Sequence, residues 1–278
     1  MKPDQAPRAQ TFRHFFFDEA EVGRADALVF CFPGYLNSVS MFDPLRSKLG
    51  DRFALVTLRW PGLDGKPGSV QVHAEEMIEE FCTVSQLNTN AKLAIVGYSI
   101  GGLWAQFVGT AAGSRGAALI YISAARSLWA LLLCGANGIL CALRAIWRRK
   151  TLNLAEIEDD VTKQLFFGSG CYRKPWDQTS ESYEFFKASL PPATWQSFRS
   201  QVLPLVWDRR VTAARTVGVE THVIHGSDDP IIRFTLARKR RTNSGRFSVL
   251  ERTGAGHSLP FADAGIFDEM AKIIRAYR

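Results

Sequence analysis

Cysteine is scarce in the chain: five in 278 residues, Cys31, Cys82, Cys134, Cys141 and Cys171, an odd count at wide spacing with no CxxC pair. That pattern excludes a disulfide framework and a cysteine-built zinc site. It suits a reducing compartment, so a cytoplasmic location is expected. The chain also lacks a G-x-G-x-x-G fingerprint and a P-loop lysine, which removes two nucleotide-binding classes. Behind Met1-Lys2-Pro3-Asp4-Gln5 there is no apolar segment of the kind a signal peptide carries. The net charge is +7, yet no motif for nucleic acid accompanies it, so no nucleic-acid partner is expected. The charge suits anionic groups in general, such as phosphates, CoA, acidic carrier proteins or lipid head groups.

Long hydrophobic runs are also missing, with one borderline case. Leu128 to Leu143 carries no charge and is followed by Arg144, Trp147, Arg148, Arg149 and Lys150. Aromatic and basic anchors of that kind flank membrane segments, but the run is slightly short for a span. It is also interrupted by Gly135-Ala136-Asn137-Gly138, which predicts a turn between two helices, Leu128–Leu133 and Ile139–Trp147.

What is present is an alternation of short apolar runs and helical patterns. Ala27–Phe32, Phe53–Leu58, Leu93–Gly97, Ala118–Ser123, His222–His225 and Phe247–Leu250 are continuous apolar runs, as strands buried on both faces require. Thr11–Phe17 adds an edge strand. Val72–Leu87, Leu103–Ala112 and Ile266–Tyr277 have helical periodicity. Strand alternating with helix predicts an α/β fold with a mostly parallel sheet covered on both sides. The rhythm stops between Ala124 and Val219, a stretch without a strand pattern and rich in aromatics. The division expected is a core of residues 1–123 and 220–278 with a helical lid, 124–219, inserted between strands.

Gly97-Tyr98-Ser99-Ile100-Gly101-Gly102 fits G-x-S-x-G between a strand and a helix. In that context the glycines permit a tight turn that lifts the Ser99 hydroxyl clear of the sheet. A hydroxyl nucleophile needs a base, and the base needs an orienting carboxylate. His257 lies among small residues after the last strand. Asp228 and Asp229 follow the strand before it, with Asp229 preferred and Asp228 as a brace for the turn. The order Ser, Asp, His is the one an α/β-hydrolase fold uses. The remaining histidines, His14, His73, His222 and His225, are read as structural. Oxyanion donors are expected from the Ile100 amide and, in the loop Pro33-Gly34-Tyr35-Leu36-Asn37, from the Tyr35 amide. Trp129, Leu132 and Leu140 are the lid residues expected to meet an acyl chain, unless the lid helices rest on a bilayer instead.

Three stretches resemble the thioesterase branch of the α/β-hydrolase superfamily, the enzymes that serve polyketide and nonribosomal peptide synthesis. Val29–Ser38 is similar to that branch's oxyanion loop. Leu58–Pro67 with Val72–Glu80 is similar to its Pro-Gly loop and helix, and Gly97–Gly102 to its elbow. The likeness covers roughly 25–125 and 220–278 and leaves out the lid. Synthase-integrated domains often carry the acid after the strand equivalent to Ala118–Ser123. Here Ser123-Ala124-Ala125-Arg126 offers no carboxylate, so the likeness is to the free-standing type II-like enzymes. The resemblance implies hydrolysis of an acyl thioester through a Ser99 ester, with no metal and no organic cofactor. An acidic carrier or CoA would be the partner. Arg238-Lys239-Arg240-Arg241 is the densest basic run, read first as a solvated helix face and second as a docking site for such a partner. The same triad serves a carboxylesterase or lipase-like hydrolase of oxygen esters, and a non-catalytic ligand-binding protein on the same fold is the reading of another class.

Overall fold

A computed structural model describes residues 12–112, 117–150, 153–168, 186, 190, 194–215, 218–238 and 246–277. Cys171, Tyr172, Trp176, Tyr183, Phe185 and Lys239-Arg240-Arg241 lie outside the described residues.

The core is a seven-stranded sheet. In chain order the strands are β1 (Phe15–Phe16), β2 (Ala27–Phe32), β3 (Phe53–Leu58), β4 (Lys92–Tyr98), β5 (Ala117–Ile122), β6 (Glu220–Gly226) and β7 (Phe247–Arg252). Across the sheet the order is β1-β3-β2-β4-β5-β6-β7. All neighbours are parallel except the short β1, which pairs antiparallel with β3 and closes one edge.

Strand burial follows from the period of two. Leu28, Phe30 and Phe32 of β2 point into one apolar layer, and Ala27, Val29 and Cys31 into the other. The first layer is covered by α3 (Ala74–Leu87), through Met77, Phe81 and Val84, and by α4 (Gly101–Ala112), through Leu103, Trp104 and Val108. The second is covered by α2 (Asp43–Leu49), through Leu45 and Leu49, and by the last helix, α12 (Gly265–Ala276), through Ile266, Phe267, Met270 and Ile274. The helix between β1 and β2, α1 (Glu19–Arg24), is capped by Asp18, whose carboxylate accepts from the Ala20 and Glu21 amides.

Between β5 and β6 the described residues hold only helices: α5 (Leu128–Arg149), α6 (Leu154–Phe167), α7 (Trp195–Gln201), α8 (Leu203–Trp207) and α9 (Arg209–Ala213). Two short helices follow the last two strands, α10 (Phe234–Ala237) and α11 (Leu259–Ala262).

One expectation fails. The turn predicted at Gly135–Gly138 is absent, and α5 runs unbroken for 22 residues. Ser127 caps its start by accepting from the Ala130 amide. Its inner face, with Ala130, Leu131, Cys141 and Ala145 buried, packs against the domain. Asn137, within the tetrapeptide expected to form the turn, anchors the helix by donating from Nδ2 to the Ile231 carbonyl at 2.8 Å. Two interior glycines cost a helix about 1 kcal/mol each, which tertiary contacts of this kind outweigh.

Candidate active site

The strand order decides where a site can form. From β2 the chain crosses to β3 on one side, then returns to place β4 on the other side of β2. Such a switch leaves a crevice beyond the carboxyl ends of the two adjacent strands. Phe32, the last residue of β2, is in register with Gly97 of β4. The loops that leave this pair therefore start side by side: Pro33–Asn37 and the turn at Ser99.

Ser99 has φ 52°, a left-handed backbone that a non-glycine residue adopts at a cost. Three hydrogen bonds hold it there. Its amide donates to the Ile122 carbonyl, and its own carbonyl accepts from the Gly102 and Ala125 amides. The flanking glycines are required by close approach: a Cβ at Gly97 would sit 2.6 Å from the Gly102 Cα, and one at Gly101 would sit 2.1 Å from the Phe32 carbonyl oxygen. The strained turn aims the Ser99 hydroxyl at His257, with Oγ 3.0 Å from Nε2.

His257 Nδ1 lies 2.9 Å from Asp229 Oδ2. The other oxygen of Asp229, Oδ1, accepts from the Ile231 amide at 2.8 Å and the Ile232 amide at 2.9 Å. Burial pushes the Asp229 carboxyl up. The charge of His257 and the hydrogen bonds from His225 and His257 outweigh that, and the group is held well below the usual carboxylate range. The structure thus brings together the three residues expected as a triad. Asp228 is turned away from it and accepts instead from the Ser227 hydroxyl at 3.0 Å.

His225 was read as structural, and it does more than fill space. Its Nε2 lies 2.7 Å from the Ile232 carbonyl and 3.2 Å from Asp229 Oδ2. Both neighbours are acceptors, so Nε2 carries the proton and the ring is a second donor to the carboxylate. The signal in the sequence was the four-residue spacing of His225 and Asp229 across one strand-end turn. Tyr98 stacks on the other side of the site, its ring 5.7 Å from the His257 ring.

The expected oxyanion donors both line the cavity above Ser99. In the Pro33–Asn37 loop the Leu36 amide is taken by Gln201 Oε1 and the Asn37 amide by the Gly34 carbonyl. The Tyr35 amide, like the Ile100 amide beside the start of α4, makes no hydrogen bond among the described residues. Two residues that sequence reasoning passed over shape this loop. Trp60 Nε1 donates to the Gly34 carbonyl at 2.9 Å and the Pro33 carbonyl at 3.2 Å. Gln201, buried in α7, clamps the loop from the other side while its Nε2 donates to the Pro61 carbonyl.

The cavity has a volume of about 500 Å3, within the usual range for small-molecule sites. Its walls are chiefly apolar: Leu131 and Leu132 from α5, Leu165 from α6, Phe198 and Val202 around α7, and Ile231. Of the lid residues expected to meet substrate, only Leu132 lines it. Trp129 is 74% exposed on the outer face of α5. Leu140 borders a different cavity, beside Asp228 and Arg144. Among the described residues no cluster of three or more His, Cys, Asp or Glu side chains could hold a metal ion.

A profile of the alpha/beta hydrolase family matches residues 28–269. The chain belongs to the alpha/beta hydrolase family. No curated protein matches it significantly in sequence. Solved structures match it over nearly its whole length. An esterase from Thermogutta terrifontis superposes with a TM-score of 0.64 at 17% identity, over 95% of this chain and 93% of its own. An esterase from Exiguobacterium antarcticum gives 0.62 at 15% identity, over 95% and 94%. A chain from Mycobacterium tuberculosis assigned as a non-heme bromoperoxidase gives 0.67 at 14% identity, over 99% and 100%. At these identities the likeness is one of fold.

Proposed function

We propose that this alpha/beta hydrolase cleaves esters of apolar carboxylic acids through a covalent acyl group on Ser99. The observation that carries the reading is the continuous relay from Ser99 Oγ to His257 Nε2, 3.0 Å, and from His257 Nδ1 to Asp229 Oδ2, 2.9 Å, at the floor of an apolar cavity.

Ser99 Oγ attacks the ester carbonyl carbon as His257 Nε2 takes its proton. The carbonyl oxygen becomes an oxyanion and accepts from the Tyr35 and Ile100 amides, each donor contributing about 3 kcal/mol at the transition state. The tetrahedral carbon then expels the leaving group, which takes the proton from His257. A water molecule next gives a proton to His257 and attacks the acyl carbon; the tetrahedral carbon expels Ser99 Oγ, which takes that proton back from His257, and the acid leaves. Asp229 fixes the imidazole with Nδ1 protonated, so Nε2 faces Ser99 as an acceptor.

The apolar walls supply acyl specificity. Each methylene removed from water contributes about 0.8 kcal/mol, or about fourfold in kcat/KM while the cavity still has room. On p-nitrophenyl esters kcat/KM should therefore climb from acetate to hexanoate. A flat or falling series would remove the apolar acyl class.

A thioester is the second reading. Leu58–Pro67 and Val29–Ser38, two of the three stretches similar to thioesterases, form one structure through the Trp60 hydrogen bonds to Pro33 and Gly34. Among the described residues no Asp, Glu, Lys or Arg side chain lines the cavity, so phosphates of CoA or a carrier arm would be held outside it. In the basic run that starts at Arg238, the Arg238 guanidinium lies 5.9 Å from the centre of the Phe234 ring. Comparing kcat/KM for butyryl-CoA with that for p-nitrophenyl butyrate separates the two leaving groups.

A further inference from the structure

The continuity of α5 gives the protein a surface that the expected pair of short helices would not have had. Its inner face, with Leu131, Asn137, Cys141 and Ala145, packs on the domain, and Leu131 and Leu132 reach the Ser99 cavity. The opposite face is exposed and apolar. Trp129, Leu133, Ile139, Leu140, Leu143 and Trp147 are all open to solvent, with Trp147 80% and Ile139 64% exposed. At 100° per residue these six fall within roughly a third of the helix circumference, and the two tryptophans stand about 27 Å apart along the axis. A single exposed apolar residue is ordinary, but a continuous stripe of this length marks an interaction surface.

The charge says what covers it. The helix contains no Asp or Glu. Exposed Arg144 borders the stripe on one side, and exposed Lys150 follows its end. We infer that α5 is a docking surface for an anionic lipid bilayer, lying in the plane of the interface with its apolar stripe in the acyl boundary and its cations at the head-group phosphates. Tryptophan at both ends of such a stripe suits the interfacial layer. A second copy of this chain would set like charges together, since the protein carries a net +7. Length and composition alone would let α5 cross a membrane. Its packed inner face and the Asn137 anchor keep it on the domain, so it lies on the surface and does not span it.

The test uses the full chain and sucrose-loaded vesicles, and it does not depend on chemistry at Ser99. The protein should sediment with vesicles of phosphatidylcholine and phosphatidylglycerol in equal parts and much less with pure phosphatidylcholine. Tryptophan emission should shift to the blue on binding. Arg144→Gln with Lys150→Gln should weaken binding to the anionic vesicles about 25-fold, at about fivefold per cation near the surface. Ile139→Asp with Leu143→Asp should abolish it while turnover of a soluble short ester is unchanged. Should that pair fail to fold, Ile139→Ala with Leu143→Ala gives the same direction with a smaller loss. Three results would overturn the inference. One is no sedimentation of folded wild type with anionic vesicles. Another is equal binding to both vesicle types with no effect of the Arg144 and Lys150 changes. The third is a stable dimer in solution that dissociates when Ile139 and Leu143 are changed.

Discussion

Asp229→Asn should be far more damaging than its single-atom difference suggests, because neither orientation of the amide fits. With the amide oxygen kept toward the Ile231 and Ile232 amides, which are 2.8 and 2.9 Å from the carboxylate, the new NH2 faces His257 Nδ1 and His225 Nε2. It then donates to His257 Nδ1, drives the ring proton to Nε2, and leaves Ser99 without a base. It also meets the His225 N–H donor to donor. With the amide flipped, its NH2 opposes two backbone N–H groups. The tautomer error should lower kcat about 10,000-fold. The mispaired buried donors should cost about 1–3 kcal/mol of stability. Asp228→Asn keeps an oxygen for the Ser227 hydroxyl and should stay near wild type. Stability against pH adds a second signature. The Asp229 carboxyl is held below its ordinary value, so its contribution is present above the unfolded pKa of about 4 and is lost as pH falls through the folded one. The asparagine variant should lose that part of the acid limb in a plot of Tm against pH. Steady-state kinetics on p-nitrophenyl butyrate and thermal melts provide both readouts. An Asp229→Asn enzyme with more than a tenth of wild-type kcat, or an Asp228→Asn enzyme that is worse, would refute the reasoning.

Three further outcomes follow from His225 and from the buried Lys66–His14 pair. His225→Phe keeps ring volume but removes the donor to Asp229 and Ile232; kcat and Tm should both fall while KM for a short ester stays constant, and a fall in KM-dependent terms alone would contradict the positioning role. Lys66 is buried with Nζ 2.9 Å from His14 Nδ1 and 3.0 Å from the Arg59 carbonyl, and burial first, then the charge of Arg59, brings its pKa down to about 8. His14 is lowered by burial and then by Lys66, so Lys66→Met should raise the His14 pKa in an NMR titration. Because the folded pKa of Lys66 is depressed, the cost of keeping it charged is full below pH 8 and is relieved as pH rises from about 8 to 10.5. Lys66→Met should remove that rise in stability.

Much of this could be read before any coordinates. Ala27–Phe32 and Phe53–Leu58 form strands over the residues expected, because a run buried on both faces has few other solutions. Ser99, Asp229 and His257 were legible because the elbow needs glycines at fixed places and the remaining partners must come from strand ends. The misread residues share a physical cause: their behaviour depends on distant partners. Gly135 and Gly138 break a helix only when nothing else holds it, and Asn137 is tied to Ile231, 94 residues away. Trp60 and Gln201 look like ordinary apolar and surface residues until the fold brings them to the Pro33–Asn37 loop. Trp129 and Leu140 were expected at the cavity because an apolar lid residue normally turns inward; the register of one continuous helix turns them outward.

The central claim is that Ser99 is the nucleophile. Intact-protein and peptide mass spectrometry after treatment with a fluorophosphonate tests it directly. The folded wild type should gain one adduct, on the peptide that carries Ser99, with loss of esterase activity in step. Folded Ser99→Ala should gain none and hydrolyse no p-nitrophenyl butyrate above background. An unlabelled but folded wild type, or a Ser99→Ala protein that still takes the label and turns over ester, would contradict the account.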